Sequence, residues 1–432
     1  MSRAWPALAA LLAALPAAAS PVRVEFPLGP YYRAGRYVPV QITFGLDAPT
    51  GGALILSAQG AVDLEVRLAA GEGTVVAPWL MIQAPADARW RIGADGPMHD
   101  LQLSPLRELG VEQALVAVVG EHPEARQIAA QVTKATPILI ERGAAAPLPG
   151  PATAWEMLDA VVMDRPTFAA AGDRAVSQLL AGGTSLIVRA DEAPDARWTW
   201  ERHGAYQVAR ADPAGLRRFG PGDVEGVLQQ LSAWTDGLPG PLRGRIALYG
   251  ALAAIALLGV ALVRWRWTPA VLIVAAGGMW VALATWWRGQ TPLLQRDGAV
   301  EIVDQAAAQI DTWIVQRAID TTGVEMPWRA GLRPLIASPR AADAMRLTLV
   351  CREDGRPTGF RYVLPARRSA AFMWRQWGPA SGAACSPAQR GPLLDLARQL
   401  YQRKSWTIQG QIEEEPPSLW AQRWPRVVVR RG

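Results

Sequence analysis

The sequence predicts a multidomain membrane protein: a β-sandwich, an α/β domain built on a parallel sheet, two transmembrane helices, and a β-rich C-terminal domain. Three observations predict it. Two apolar stretches, residues 246–263 and 269–287, are separated only by Arg264, Trp265, Arg266, Trp267 and Thr268, and each is about long enough to cross a ~30 Å hydrocarbon core as a helix. Ahead of them, short runs of alternating apolar residues imply half-buried strands. From Ala114 these give way to continuous apolar strands interleaved with helical segments, the pattern of a parallel sheet covered on both faces.

Residues 1–20 have the shape of a signal peptide, with an early cation at Arg3, an Ala/Leu-rich core and small residues at Ala17 and Ala19. An uncleaved signal anchor is the alternative, and either form exports residues 21–245. With those residues outside, two crossings return residues 288–432 to the same side. The expected location is therefore a bacterial inner membrane, with both large parts periplasmic and a short cytoplasmic loop.

Residues 21–110 read as the sandwich. Val38, Val40, Ile42 and Phe44 alternate with Pro39, Gln41 and Thr43, and Val62, Leu64, Val66 and Leu68 repeat the pattern between turns. The opening VRVEFPLGPYYRAGRYVPVQITFGL resembles the immunoglobulin-like N-terminal domain of bacterial exported membrane proteins, in which a Gly-x-Tyr/Trp-x-Pro-Val run enters a strand. Tyr31, Tyr32 and Tyr37 then read as packing residues rather than a ligand platform.

Residues 111–240 read as the α/β domain. ALVAVVG, TPILIERG, WEMLDAVVMD and TSLIVRAD are its strands, EHPEARQIAAQVTK and AGDRAVSQLLAGG its helices, and residues 222–234 a further helix. The stretch LDAVVMDRPTFAAAGDRAVSQLLAGGTSLIV resembles the flavodoxin-like, class I glutamine amidotransferase-like domain of bacterial exported membrane proteins. Gly182 and Gly183 are expected to end the preceding helix in a left-handed conformation.

An active amidotransferase needs a nucleophilic Cys on a strand-to-helix turn and a later His-x-Glu to activate it. Residues 111–210 contain no Cys. His122 and Glu124 do spell His-x-Glu, but they come directly after the first strand, where the family does not place that pair. Ser177 and Ser185 are the only serines between Gly120 and Asp191, and neither lies in a Gly-x-Ser-x-Gly elbow. The sequence therefore points to a catalytically degenerate domain, not an enzyme. The loop ends of such a sheet remain a natural ligand crevice, and Gly120, Glu121, His122, Asp164 and Arg165 are its candidate residues, against the plainer reading of solvated loop charges. No Gly-rich phosphate loop is present, so no nucleotide is expected, and no cofactor or metal is implied.

Neither apolar stretch carries an ionisable residue in its middle, which argues against a transport pathway. Trp265, Trp267, Trp280, Trp286 and Trp287 fit interfacial anchoring to a lipid bilayer; a soluble hairpin with core tryptophans is the alternative. In residues 288–432, VEIVDQAAAQIDTWIVQRA, AMRLTLVCRED and FRYVLPAR read as strands, and PLLDLARQLYQRKSW as a helix. The tail with Trp420, Trp424, Arg423, Arg426, Arg430 and Arg431 fits a membrane surface or a terminal strand equally. Cys351 and Cys385 both fall here. An oxidising compartment permits a disulfide between them, against two buried free thiols.

Charge separates the two polar parts. Residues 21–245 hold 20 basic against 25 acidic residues, a net of −5, whereas residues 288–432 hold 21 against 13, a net of +8. Such opposite fields suit protein or anionic-surface contacts, and no nucleic-acid module accompanies them. The expected function is a non-enzymatic scaffold or binding subunit. The resemblance implies an accessory role to a MoxR- and Bat-associated envelope assembly, with other inner-membrane or periplasmic proteins as partners. A polysaccharide-handling subunit and an envelope glycan- or peptide-acting enzyme are the alternatives.

Overall fold

The structure, a computed structural model, describes residues 22–45, 52–69, 73–110, 112–143, 148, 150–189, 200–209, 277, 293–304, 307–318, 320–329, 331–336, 339–379, 398, 406–412 and 423–431. The chain divides into two compact units. The first contains Met1–Pro194, Trp200–Ala211 and Leu347–Phe360; the second contains Asp195–Thr199, Asp212–Arg346 and Arg361–Gly432.

The expected membrane architecture is overturned. Among the described residues strands take 56% and helices 16%, and none of the four helices described there is long and apolar enough to cross a membrane. The longest, Arg165–Gly182, is broken at Gly172 and carries Arg165, Asp173 and Arg174, whereas a span needs about 20 largely apolar residues. The two stretches 246–263 and 269–287 lie outside the described residues apart from residue 277, as do the expected signal peptide 1–20 and helix 222–234. The two-pass inner-membrane architecture and the location built on it are therefore not supported.

The N-terminal part of the first unit is strand-rich, as its alternation predicts. Its strands are β1 (Val22–Glu25), β2 (Tyr31–Tyr32), β3 (Arg36–Phe44), β4 (Ala53–Ala61), β5 (Asp63–Arg67), β6 (Gly73–Ile92), β7 (His99–Asp100) and β8 (Arg107–Glu108). Rather than two separate sheets, one path runs β1-β3-β6-β4-β5, with β2 and β8 forming a small pair of their own. The 20-residue β6 makes this continuity. Its first half pairs with β3, from Phe44↔Gly73 to Arg36↔Met81, and its second half with β4, through Leu54↔Ile92. Register shifts around Gln59 mark the change of partner, as bulges bend a strand and let it serve two neighbours. Tyr37, Ile42, Leu54, Leu56, Leu64 and Trp79 are fully buried, each contributing roughly 1.5–3 kcal/mol. Trp79 Nε1 donates to the Val62 carbonyl at 2.7 Å, so the indole is buried without an orphaned donor.

The α/β part comes next along the chain. Its elements are β9 (Gln113–Val119), α1 (Ala125–Thr133), β10 (Thr136–Arg142), a 3-10 turn at Ala152–Trp155, β11 (Ala160–Asp164), α2 (Arg165–Gly182), β12 (Ser185–Arg189), β13 (Trp200–His203) and β14 (Tyr206–Ala209). The sheet order is β10-β9-β11-β12-β14-β13. The first four strands are parallel and the last two antiparallel. Ala125, Ile128, Ala129 and Val132 of α1 cover Ala114, Val116, Val118 and Val162. Gly183 closes α2 at φ 90°, the left-handed end expected there.

The second unit carries β15 (Leu293–Asp304), β16 (Ala307–Ala318), β17 (Thr322–Pro327), β18 (Arg333–Pro334) and α3 (Pro339–Met345) before the chain leaves it. Strand β19 (Thr348–Cys351) and the start of β20 (Pro357–Leu364) belong to the first unit. The chain then returns through β21 (Ser369–Pro379), β22 (Trp406–Ile412) and β23 (Arg423–Arg431). Its six-stranded sheet has the order β18-β21-β16-β15-β23-β22. At its centre Asp311 and Arg375 face each other across β16 and β21 as a two-pronged ion pair, at 2.7 and 3.1 Å, with Gln309 donating to the same carboxylate. Both charges are buried and matched, the condition under which a buried pair is tolerated. Tyr362 donates to Gln316, and burial pushes its phenol up.

Residues 347–360 are a hairpin set into the first unit. Strand β19 lies parallel to β5, from Thr348↔Asp63 to Cys351↔Val66, and buries Leu349 and Cys351 completely. Its turn at Asp354 and Gly355 is closed by Arg352 N–H to the Arg356 carbonyl at 2.9 Å. Gly355 has φ +76°, and a Cβ there would collide with the carbonyl of Val76. Cys351 is a free thiol that burial pushes well up; Cys385, the other half of the possible bridge, lies outside the described residues.

Candidate functional site

From β9 the chain crosses to β10 on one side, then to β11 on the other. The point between β9 and β11 is therefore the topological switch, where open α/β sheets leave a crevice beyond their carboxyl ends. All five candidate residues stand there. Gly120, Glu121 and His122 come after β9, while Asp164 ends β11 and Arg165 begins α2.

They behave differently within it. Glu121 and Arg165 are exposed, as solvated loop charges are. Gly120 sits at φ +93° and its N–H donates to the Arg142 carbonyl at 2.9 Å, tying the turn to β10. His122 is buried, and its Nε2 lies 3.1 Å from the Val119 carbonyl. A carbonyl can only accept, so Nε2 carries a proton. Nδ1 is buried with no partner among the described residues.

Asp164 is the N-cap of α2, its Oδ1 accepting the Thr167 N–H at 2.9 Å. The Thr167 side chain first, then that backbone bond, with a smaller contribution from the field of His122, hold its carboxyl below the usual range. The capping geometry is favoured by Pro166 in the first turn, which lacks an N–H and fixes φ for a helix start.

Tyr206, at the start of β14, is the neighbour that the sequence did not announce. Its ring centroid lies 6.0 Å from that of His122. Burial pushes its phenol up and Glu124 adds to this, while Arg189 pulls the other way. Its strand pairs back antiparallel onto β12, with Arg189↔Tyr206. Only that register brings the ring to the crevice.

The opposite end of the same strands is occupied by two arginines from the N-terminal part, Arg33 in the turn after β2 and Arg36 at the start of β3. Arg33 Nη2 donates to Asp159 Oδ2 at 2.7 Å and to the Gln113 carbonyl at 2.6 Å, and the same Asp159 oxygen accepts the Leu115 N–H at 2.7 Å. Arg36, buried at 5% exposure, donates to the carbonyls of Glu156 and Gly182 at 3.3 and 3.2 Å. Gly182 ends α2, so this cation also meets the negative end of a helix dipole. The two Arg residues are visible in GPYYRAGRYVPV, each close to a buried Tyr, although nothing local announces their partners.

Among the described residues no group of His, Cys, Asp and Glu could hold a metal ion. Searches against family models, curated proteins and solved structures found no match for this chain.

Proposed function

We propose that this chain is a non-enzymatic scaffold or binding subunit, accessory to a larger assembly of the MoxR- and Bat-associated type, with proteins as its partners. One observation carries the reading. Neither titratable group at the switch point faces a nucleophile: His122 donates Nε2–H to the Val119 carbonyl while its Nδ1 meets no partner among the described residues, and Asp164 caps the first turn of α2. Catalysis instead asks for a base oriented toward a nucleophile and donors aimed at the developing charge. Residues 111–210 supply no thiol. Ser185 starts β12 at the end of the sheet away from the crevice, and Ser177 lies within α2.

The test is complementation of a deletion strain with His122→Ala, alongside limited proteolysis to establish folding. The expected outcome is a folded variant that complements like wild type. A folded His122→Ala chain that fails to complement would overturn the proposal and place an enzyme ahead of a scaffold.

A further inference from the structure

We propose that the crevice beyond β9 and β11 binds a small hydroxylated carboxylate of the sugar-acid class, with a ligand hydroxyl donating to His122 Nδ1 and the ligand carboxylate received by Arg189 and the start of α1. The site goes beyond the scaffold reading and is independent of it: complementation reads protein docking, whereas ligand titration reads the crevice.

Register builds the floor of the site. Asp164, Arg189 and Tyr206 are consecutive partners across β11, β12 and β14. Paired residues point to one face of a sheet. These three lie two positions from Val162, Ile187 and Val208, which belong to the cluster covered by α1, so they share the α1 face at the edge of the crevice. His122 closes over them. The sheet order places β11 and β12 between β9 and β14, a separation of three strand spacings of about 4.8 Å each. The His122 and Tyr206 rings, with centroids only 6.0 Å apart, therefore lean toward each other across the ends of the strands between them.

The groups left unspent there define the ligand. His122 is buried at 9% exposure with its Nε2–H on the Val119 carbonyl, which makes Nδ1 an acceptor, and that acceptor has no partner among the described residues. A buried polar atom left unsatisfied carries a desolvation cost that a ligand O–H removes. Arg189, directly opposite Tyr206, is exposed and has no carboxylate partner among the described residues. Helix α1 starts with no side-chain cap and no acidic residue in its first turn, since Glu124 holds the N-cap position without a side-chain bond to it. Its positive end is thus open to an anion. Burial keeps the Tyr206 phenol protonated, which adds a further O–H beside these groups. Asp164 is already engaged by Thr167 and takes no part. An acceptor for a hydroxyl beside donors for a carboxylate matches a ligand that carries both on neighbouring carbons.

The test titrates the full chain, labelled with 15N in the imidazoles of its three histidines, with glucuronate, with glucose as the hydroxyl-only arm, and with acetate as the carboxylate-only arm. Glucuronate should move the His122 Nδ1 resonance saturably and leave His99 and His203 in place. Glucose and acetate should each bind at least about tenfold more weakly by ligand-observed NMR, the loss that follows from removing one buried or charge-assisted hydrogen bond. His122→Gln keeps an amide N–H for the Val119 carbonyl but places no acceptor where Nδ1 stood, and Arg189→Gln removes the guanidinium from an exposed position. Each should weaken glucuronate about tenfold or more, with folding checked by limited proteolysis, and Arg189→Gln should leave glucose binding unchanged. No saturable shift at His122 with any of the three probes overturns the site, as does undiminished glucuronate binding by a folded His122→Gln chain. Glucose binding as tightly as glucuronate, or glucuronate binding unaffected by Arg189→Gln, overturns the assignment of a carboxylate.

Discussion

The two ends of the β9–β11 strand pair are built on different plans. At the amino end, polar groups reach across the chain: Arg33 meets Asp159 from 126 positions away, and Arg36 meets the end of α2 from 146 positions away. At the carboxyl end they stay local. His122 bonds a carbonyl three residues back, and Asp164 an N–H three residues on. One end is a joint between two folded parts. The other is a set of local turns that leave the His122 and Tyr206 rings with their centroids 6.0 Å apart. Long-range polar bonds order two segments at once and so add to global stability, whereas local caps act on one helix.

The comparison can be broken hardest at the strands both ends share. Val161 is fully buried in β11 and flanked by β9 and β12. Val161→Asp should unfold the α/β part, because an unpaired carboxylate there costs several kcal/mol. Loss of protease resistance around residues 112–189 is the readout, and a variant as resistant as wild type would contradict the burial.

Removal of one side of the joint comes next. Asp159→Ala leaves the Arg33 guanidinium without its carboxylate and orphans the Leu115 N–H. Breaking a buried pair typically costs about 3–5 kcal/mol, and with side-chain exposures of 18% and 12% the expected loss is near the lower bound, about 3 kcal/mol. The urea midpoint should fall accordingly. A change within about 0.5 kcal/mol would show that the amino end is no more a joint than the carboxyl end.

The smallest effect sharpens the contrast. Asp164→Ala removes a helix cap, worth about 1 kcal/mol. Because the Asp164 carboxyl is held below its usual range, its contribution is present above the unfolded value and is lost as pH falls through the folded one. Wild type and variant should therefore differ in urea midpoint at neutral pH and converge below about pH 4. A gap that persists at low pH would mean the side chain acts by packing rather than by its charge.

Legibility from the sequence tracks the range of the interaction. Alternation along β3 and β5, continuous burial in β9, β11 and β12, and the glycine end of α2 are consequences of periods two and 3.6 and of left-handed backbone, all written within a few residues. The crevice residues Gly120, His122 and Asp164 could be found because strand ends are local features. Tyr206 could not, because its place depends on a strand folding back onto β12.

By itself the sequence determined where the four parallel strands and the two helices of the α/β part would form, which of their faces are apolar, and that residues 111–210 hold no thiol nucleophile. Only the tertiary structure decided the partners. AMRLTLVCRED reads as a strand on propensity alone, yet its neighbour is β5, far earlier in the chain, because a strand edge pairs with whatever apolar alternation fits its register, and chain distance adds only a slowly growing entropic cost. The same holds for Arg33 and Arg36. A guanidinium carries no address in its own sequence, and its role is set by whichever carboxylate and carbonyls the packed sheets bring within hydrogen-bonding reach.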